Sequence, residues 1–142
     1  INFLPFLNKN SEVNELLNSL DIDLTGLSGA EGWNLPAFNA TCLGKWSVVL
    51  NSTSHKDWAN SENSILVEPS KKIDAYDDIF FNKGSPFNQG KINDFSEDSF
   101  IHAVETAIEK CSSENKNGIK LKEKFTYQSS MDKILKIINH ET

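Results

Sequence analysis

Between Ser28 and Gly44 the chain reads SGAEGWNLPAFNATCLG, a stretch that concentrates the residue types suited to a polar ligand. Glu31 is a lone carboxylate in a polar turn and an acceptor for hydroxyl groups such as those of a sugar. Asn34 is placed to cap a helix, Pro36 falls in its first turn where a missing N–H costs little, and Gly44 stops it. A helix start leaves backbone N–H groups unpaired, and with the helix dipole they attract an anion such as a diphosphate. The elements that must hold this turn flank it. Ile22, Leu24 and Leu27 form a short apolar run that ends at Ser28, and Leu35, Phe38, Cys42 and Leu43 follow at helical spacing on one side.

The residues Glu31-Gly32-Trp33-Asn34-Leu35-Pro36, then Asn39, Ala40 and Gly44, resemble the donor-binding signature of retaining glycosyltransferases of the GT-B fold, group 1 type. That signature reads Glu-Gly-aromatic-Gly-Leu-Pro, with a second Glu eight positions after the first; here Asn34 stands where a Gly is usual and Asn39 where the second Glu would be. The resemblance implies that Glu31 is the catalytic-site carboxylate orienting the donor sugar. It also implies that Ser28, Gly32, Trp33, Asn34 and Leu35 surround sugar and phosphate, and that Asn39 takes the ribose. An amide bonds a hydroxyl without the charge-assisted strength of a carboxylate. The donor would be a nucleotide-sugar acting as substrate, with no cofactor and no metal implied. The flanks INFLPFLNKNSEVNELLNSLDIDLTGL, SILVEP and LKEKFTYQSSMDKILKII are similar to the segments around the signature, so the resemblance covers roughly two-thirds of the chain.

The same resemblance implies an incomplete protein. The family neutralises the leaving diphosphate with an Arg and a Lys from upstream strands, but this chain has no Arg and lacks both segments. Beginning at Ile1, it reads as part of a longer product, inactive alone and needing a missing N-terminal half or a partner chain. With the family's strand order 3-2-1-4-5-6, a strand near Phe3 would be separated from that near Leu24 by two absent strands. The expected outcome is a rearranged first strand, or association, including homo-oligomers, through that edge or through the closing helix.

A formal charge of −6 argues against a nucleic-acid footprint, which needs a basic face. No apolar run is long enough to span a membrane and no signal peptide is visible, so a cytoplasmic location is the expectation. Cys42 and Cys111 have no metal-ligand spacing and read as buried thiols in a reducing compartment. The triplets Asn39-Ala-Thr and Asn51-Ser-Thr are discounted as glycosylation sites. His55, in the turn Thr53-Ser54-His55-Lys56-Asp57-Trp58, reads as a surface-loop histidine, His102 as solvated, and His140 as part of the tail. Lys116, Lys120, Lys122 and Lys124 fit a solvated helix face better than a membrane contact.

The pattern predicts one domain, residues 1–142, of the α/β class: a Rossmann-like parallel sheet with flanking helices, forming part of a GT-B C-terminal domain. Strands are expected near Phe3 to Leu7, Ile22 to Leu27, Trp46 to Leu50 and Ser64 to Val67. A helix capped by Ser11 presents Val13, Leu16, Leu17 and Leu20 on one face. Residues 68–95 read as an ordered loop region with a helical turn near Tyr76 to Phe80. Ser96 opens a helix with Phe100, Ile101, Val104, Ala107, Ile108 and Cys111 inward. Asn117-Gly118 marks a break before a short helix from Ile119 to Phe125, and Met131, Ile134, Leu135 and Ile138 stripe the closing helix. Two functions fit this reading. One is the donor-binding portion of a glycosyltransferase with an unknown acceptor. The other is a non-catalytic binding or assembly module of the same fold.

Overall fold

The structure, a computed structural model, describes residues 1–87 and 90–139. Three short strands, β1 (Ile22–Gly26), β2 (Trp46–Leu50) and β3 (Ile65–Val67), form a parallel sheet in the order β1-β2-β3. Five helices accompany them: α1 (Asn10–Ser19), α2 (Leu35–Cys42), α3 (Glu97–Lys110), α4 (Lys116–Lys124) and α5 (Tyr127–Ile138). The expected strand–helix–strand unit is therefore present, with α2 joining β1 to the parallel β2.

Side chains alternate across β2 and divide the core between the two faces of the sheet. Val48 and Leu50 pack with Ile65, Val67, Ala103 and Ala107, which brings α3 onto one face. Val49 faces the other way, into a cluster with Ala37, Trp58, Ala59 and Leu121 that carries α2 and α4. The central strand is buried on both sides, and that is why it reads as the continuous run WSVVL.

Several expectations change. Residues 3–7 form no strand, and Phe3 and Phe6 are exposed. The first helix begins at Asn10 after Lys9, not at a Ser11 cap; the Glu12 carboxylate accepts from the Asn8 and Lys9 amides at 3.1 Å each and closes that end. Residues 68–95 are not simply loop. They contain an antiparallel pair, β4 (Lys71–Asp74) and β5 (Lys91–Asp94), with Lys71 opposite Asp94 and Asp74 opposite Lys91. Both end pairs are ion pairs, at 3.4 and 3.1 Å. In place of a helical turn at 76–80, the Asp77 carboxylate accepts from the amides of Ile79, Phe80 and Phe81 at 2.8–2.9 Å.

α3 is turned relative to the expectation. Ser96 caps it as foreseen, accepting from the Ser99 amide, but Ala103 and Ala107 face the sheet, while Ile101, Ile108 and Cys111 are exposed. Two alanines let the helix approach closely, so small size at the contact decides over bulk elsewhere on the wheel. α2 is similar: Ala37, Ala40 and Thr41 are buried, and Leu35 is exposed. Gly118 does not break a helix. It lies buried inside α4, capped by Asn115, where a Cβ would overlap the Thr41 carbonyl oxygen, so the glycine is what lets α4 press on α2. Among the described residues no helix is long and apolar enough to cross a membrane.

Candidate functional site

β1 ends at Gly26, and the chain turns through Ser28 to Asn34 before α2 begins, which places the turn at the carboxyl edge of the parallel sheet. Asn34 decides the geometry. It takes the left-handed backbone conformation, φ 62° and ψ 71°, in which glycine is free and Asn is the best-tolerated alternative. Its buried side chain works in two directions: Oδ1 accepts from the Ala37 amide at 3.2 Å, and Nδ2 donates to the Thr25 carbonyl at 2.8 Å. One residue thus caps α2 and binds it to the end of β1. Pro36 occupies the first turn as foreseen, and Gly44 ends the helix with φ 86°.

Four carbonyls of the turn, those of Gly29, Glu31, Trp33 and Asn34, are taken. Ser54 Oγ donates to the Glu31 carbonyl at 2.9 Å, and the Trp58 indole donates to that of Trp33 at 3.0 Å. The Phe38 amide donates to the Asn34 carbonyl at 3.0 Å, and the Asn93 amide to that of Gly29 at 3.2 Å. Gly29 must be glycine, because a Cβ there would overlap the Asn93 carbonyl oxygen. β5 therefore braces the turn directly. Among the described residues, the N–H groups of Gly32, Trp33, Asn34 and Leu35 have no acceptor in the chain. Four carbonyls of the turn are held, and four consecutive amides at the start of α2 carry no bond among the described residues.

Ser28, Glu31, Gly32, Trp33, Asn34 and Leu35 lie together in this turn. Ser28 is exposed and its Oγ accepts from the Ala30 amide at 3.5 Å. The half-buried Glu31 carboxylate has no partner among the described residues. The half-buried Trp33 ring packs edge-on to Phe38 and Phe125 at centroid distances of 5.5 and 5.2 Å. Asn39 lies one turn further along α2 and is exposed. It lines a groove of about 640 Å³ between α1 and α2 with Leu35, Asn10, Asn14 and Lys122, and Leu35 is the residue shared between groove and turn.

His55 is not a surface histidine. It is fully buried in the turn after β2, its Nδ1 2.9 Å from the Leu50 carbonyl oxygen and its Nε2 without a partner among the described residues. Ser52 Oγ and Asp23 Oδ2 are likewise buried and have no partner among the described residues. Ser54, Trp58 and Asn93, which hold the turn's carbonyls, escape a reading by motif. The sequence signal for the first two is the polar cluster Thr53 to Trp58 directly after a strand. Asn93 gives no such signal.

The thiols also differ from expectation. Cys111 is exposed and Cys42 is half-buried in the groove wall; burial pushes the Cys42 thiol up from 9.0 to about 11, partly offset by Lys122. His102 is exposed beside Glu105, as foreseen, and His140 lies outside the described residues. Among the described residues no cluster of His, Cys, Asp and Glu forms a metal site. No protein-family model, curated protein or solved structure matches this chain.

Proposed function

We propose that the chain is the donor-binding portion of a glycosyltransferase that takes a sugar from a nucleotide-sugar. The observation that carries the reading is the polarity of the turn: four consecutive free amides, Gly32 to Leu35, beside the unpaired Glu31 carboxylate. Free amides at a helix start receive sugar and phosphate oxygens, and a carboxylate accepts from sugar hydroxyls. The left-handed Asn34 supports the reading, since it supplies the backbone path that the signature's usual glycine would take. Asn39, in the groove with Lys122, is the group for the ribose. Chemistry at such a site rests on positioning and on stabilising the leaving diphosphate. Residues supplied from outside this chain complete it.

Calorimetry with a nucleotide-sugar and with the bare nucleoside diphosphate tests this on the complete enzyme. Glu31→Ala should weaken the nucleotide-sugar by about 1.5–3 kcal/mol, the worth of a charged hydrogen bond, and leave the diphosphate nearly unchanged. Equal losses for both ligands, or none, would favour a non-catalytic assembly module instead. The open outer edge of β1, which has no neighbouring strand among the described residues, is the observation on that side.

A further inference from the structure

His55 lies in a single 3₁₀ turn, Thr53–Asp57, directly after β2, and among the described residues it is the largest fully buried polar side chain. A carbonyl oxygen only accepts, so Nδ1 carries the hydrogen and donates to Leu50 at 2.9 Å. The direction of that carbonyl follows from the trans peptide joining Leu50 to Asn51. Its N–H points at β3, where it donates to the Val67 carbonyl at 2.8 Å, so its C=O points the other way, to the β1 side. With Gly26 opposite Val49 in the parallel ladder, the next rung there would fall to the residues after Gly26. The chain leaves the sheet at that point. The imidazole takes the rung instead, sharing the Leu50 carbonyl with the Ser52 amide at 2.7 Å.

The residues on either side of His55 are those that hold the Glu31 turn. Ser54 bonds the Glu31 carbonyl, and Trp58 bonds that of Trp33. The His55 carbonyl accepts from the amides of Trp58 and Ala59 at 3.2 and 2.7 Å, and its ring meets the Trp58 ring edge-on at a centroid distance of 6.1 Å. Nε2 has no partner among the described residues, so the Nδ1 bond is the one hydrogen bond that the ring contributes there. That bond fastens to the end of β2 the loop that in turn fastens the Glu31 turn.

We propose that His55 is a positioning residue of the candidate site, acting through Ser54 and Trp58 on the backbone of the Glu31 turn; its effect on a ligand rests on the donor-binding reading, and its effect on the turn does not. Two substitutions separate the Nδ1 bond from the rest of the ring. The Asn amide nitrogen is attached to Cγ as Nδ1 is, so His55→Asn keeps a donor for Leu50, whereas His55→Leu fills similar space without one. Amide hydrogen exchange reads the turn at Ala37, Phe38 and Asn93, whose acceptors are Asn34 Oδ1 and the carbonyls of Asn34 and Gly29. In His55→Leu their protection should fall at least about tenfold relative to that of Ala107 in α3, and in His55→Asn it should stay within about threefold of the unsubstituted chain. Calorimetry on the complete enzyme should find the nucleotide-sugar bound at least about tenfold more weakly by His55→Leu and within about threefold by His55→Asn. Protection that is unchanged in His55→Leu, lost equally in both variants, or lost evenly across the fold with Ala107 included would overturn the proposal. So would a His55→Leu enzyme that binds the nucleotide-sugar as the unsubstituted one does. If the unsubstituted enzyme binds no nucleotide-sugar, the donor-binding reading falls and the exchange comparison alone decides the role of His55. Should His55→Leu fail to fold, His55→Asn decides: native protection at the three amides supports the proposal, and selective loss there overturns it.

Discussion

Ser54 Oγ donates to the main-chain carbonyl of Glu31 at 2.9 Å, tying the turn after β2 to the turn after β1. The bond spans 23 residues and fixes the backbone that carries the unpaired carboxylate. Ser54→Ala should lower stability by about 1 kcal/mol, the usual worth of a hydrogen bond, with a larger relative effect on ligand affinity because the turn loses its brace. Chemical denaturation and calorimetry on the same variant separate the two. An unchanged affinity would show that the turn holds its shape without Ser54.

Asn34 answers two demands, a left-handed backbone and two side-chain bonds. Asn34→Ala should therefore cost about 2–3 kcal/mol, combining a lost cap with strain at positive φ. Asn34→Gly should cost less, since glycine accepts the conformation and only the bonds are lost. Urea midpoints of the two variants give the order; a glycine variant as unstable as the alanine would place the whole effect in the side-chain bonds.

Gly118→Ala should destabilise by about 2–3 kcal/mol, although alanine is the better helix former. The added methyl meets the Thr41 carbonyl and the Asn115 side chain, and neither can retreat: Asn115 is itself bonded to the carbonyls of Lys45 and Asn63 at 3.0 and 2.7 Å. A neutral or stabilising outcome in thermal unfolding would mean that α4 shifts away from α2 at no cost.

The two thiols should react at different rates. Exposed Cys111 should be alkylated by iodoacetamide first, with half-buried Cys42 lagging because its thiol stays protonated to about pH 11. The folded state holds that proton more tightly than the unfolded chain, whose ordinary value is 9.0. The contribution to stability is complete below pH 9 and is lost as pH rises through about 11. Comparing the chain with Cys42→Ala across that window isolates the effect. Parallel pH profiles would remove it.

Asn39→Glu should leave stability within about 0.5 kcal/mol, because the residue is exposed. If the α1–α2 groove receives the ribose, a carboxylate there should hold a nucleoside diphosphate equally well or more tightly. Lys122 on the same groove limits the repulsion between the new charge and the phosphates. Weaker binding by calorimetry would place the nucleoside elsewhere.

The strand–helix–strand unit and its cap were legible in the sequence because their causes are local. An apolar run, an Asn before Leu-Pro, and a Gly after the last helical residue each act within a few positions. The same local reading located the turn that holds Ser28, Glu31 and Gly32 to Leu35. It could not show which polar groups were already satisfied, because the acceptors and donors come from Ser54, Trp58 and Asn93, far along the chain. The β4–β5 pair escaped for a related reason: KKID and KIND are separated by 16 residues, and only their pairing makes either one a strand. On α3 the large apolar residues suggested one face, and packing chose another because two alanines allow the closer approach to the sheet. Gly118 is the sharpest case. Propensity makes it a helix breaker, yet the proximity of a carbonyl on a neighbouring helix makes it the one residue that fits. Local chemistry decides where the backbone turns, whereas burial and satisfied hydrogen bonds are properties of neighbours that only the folded chain brings together.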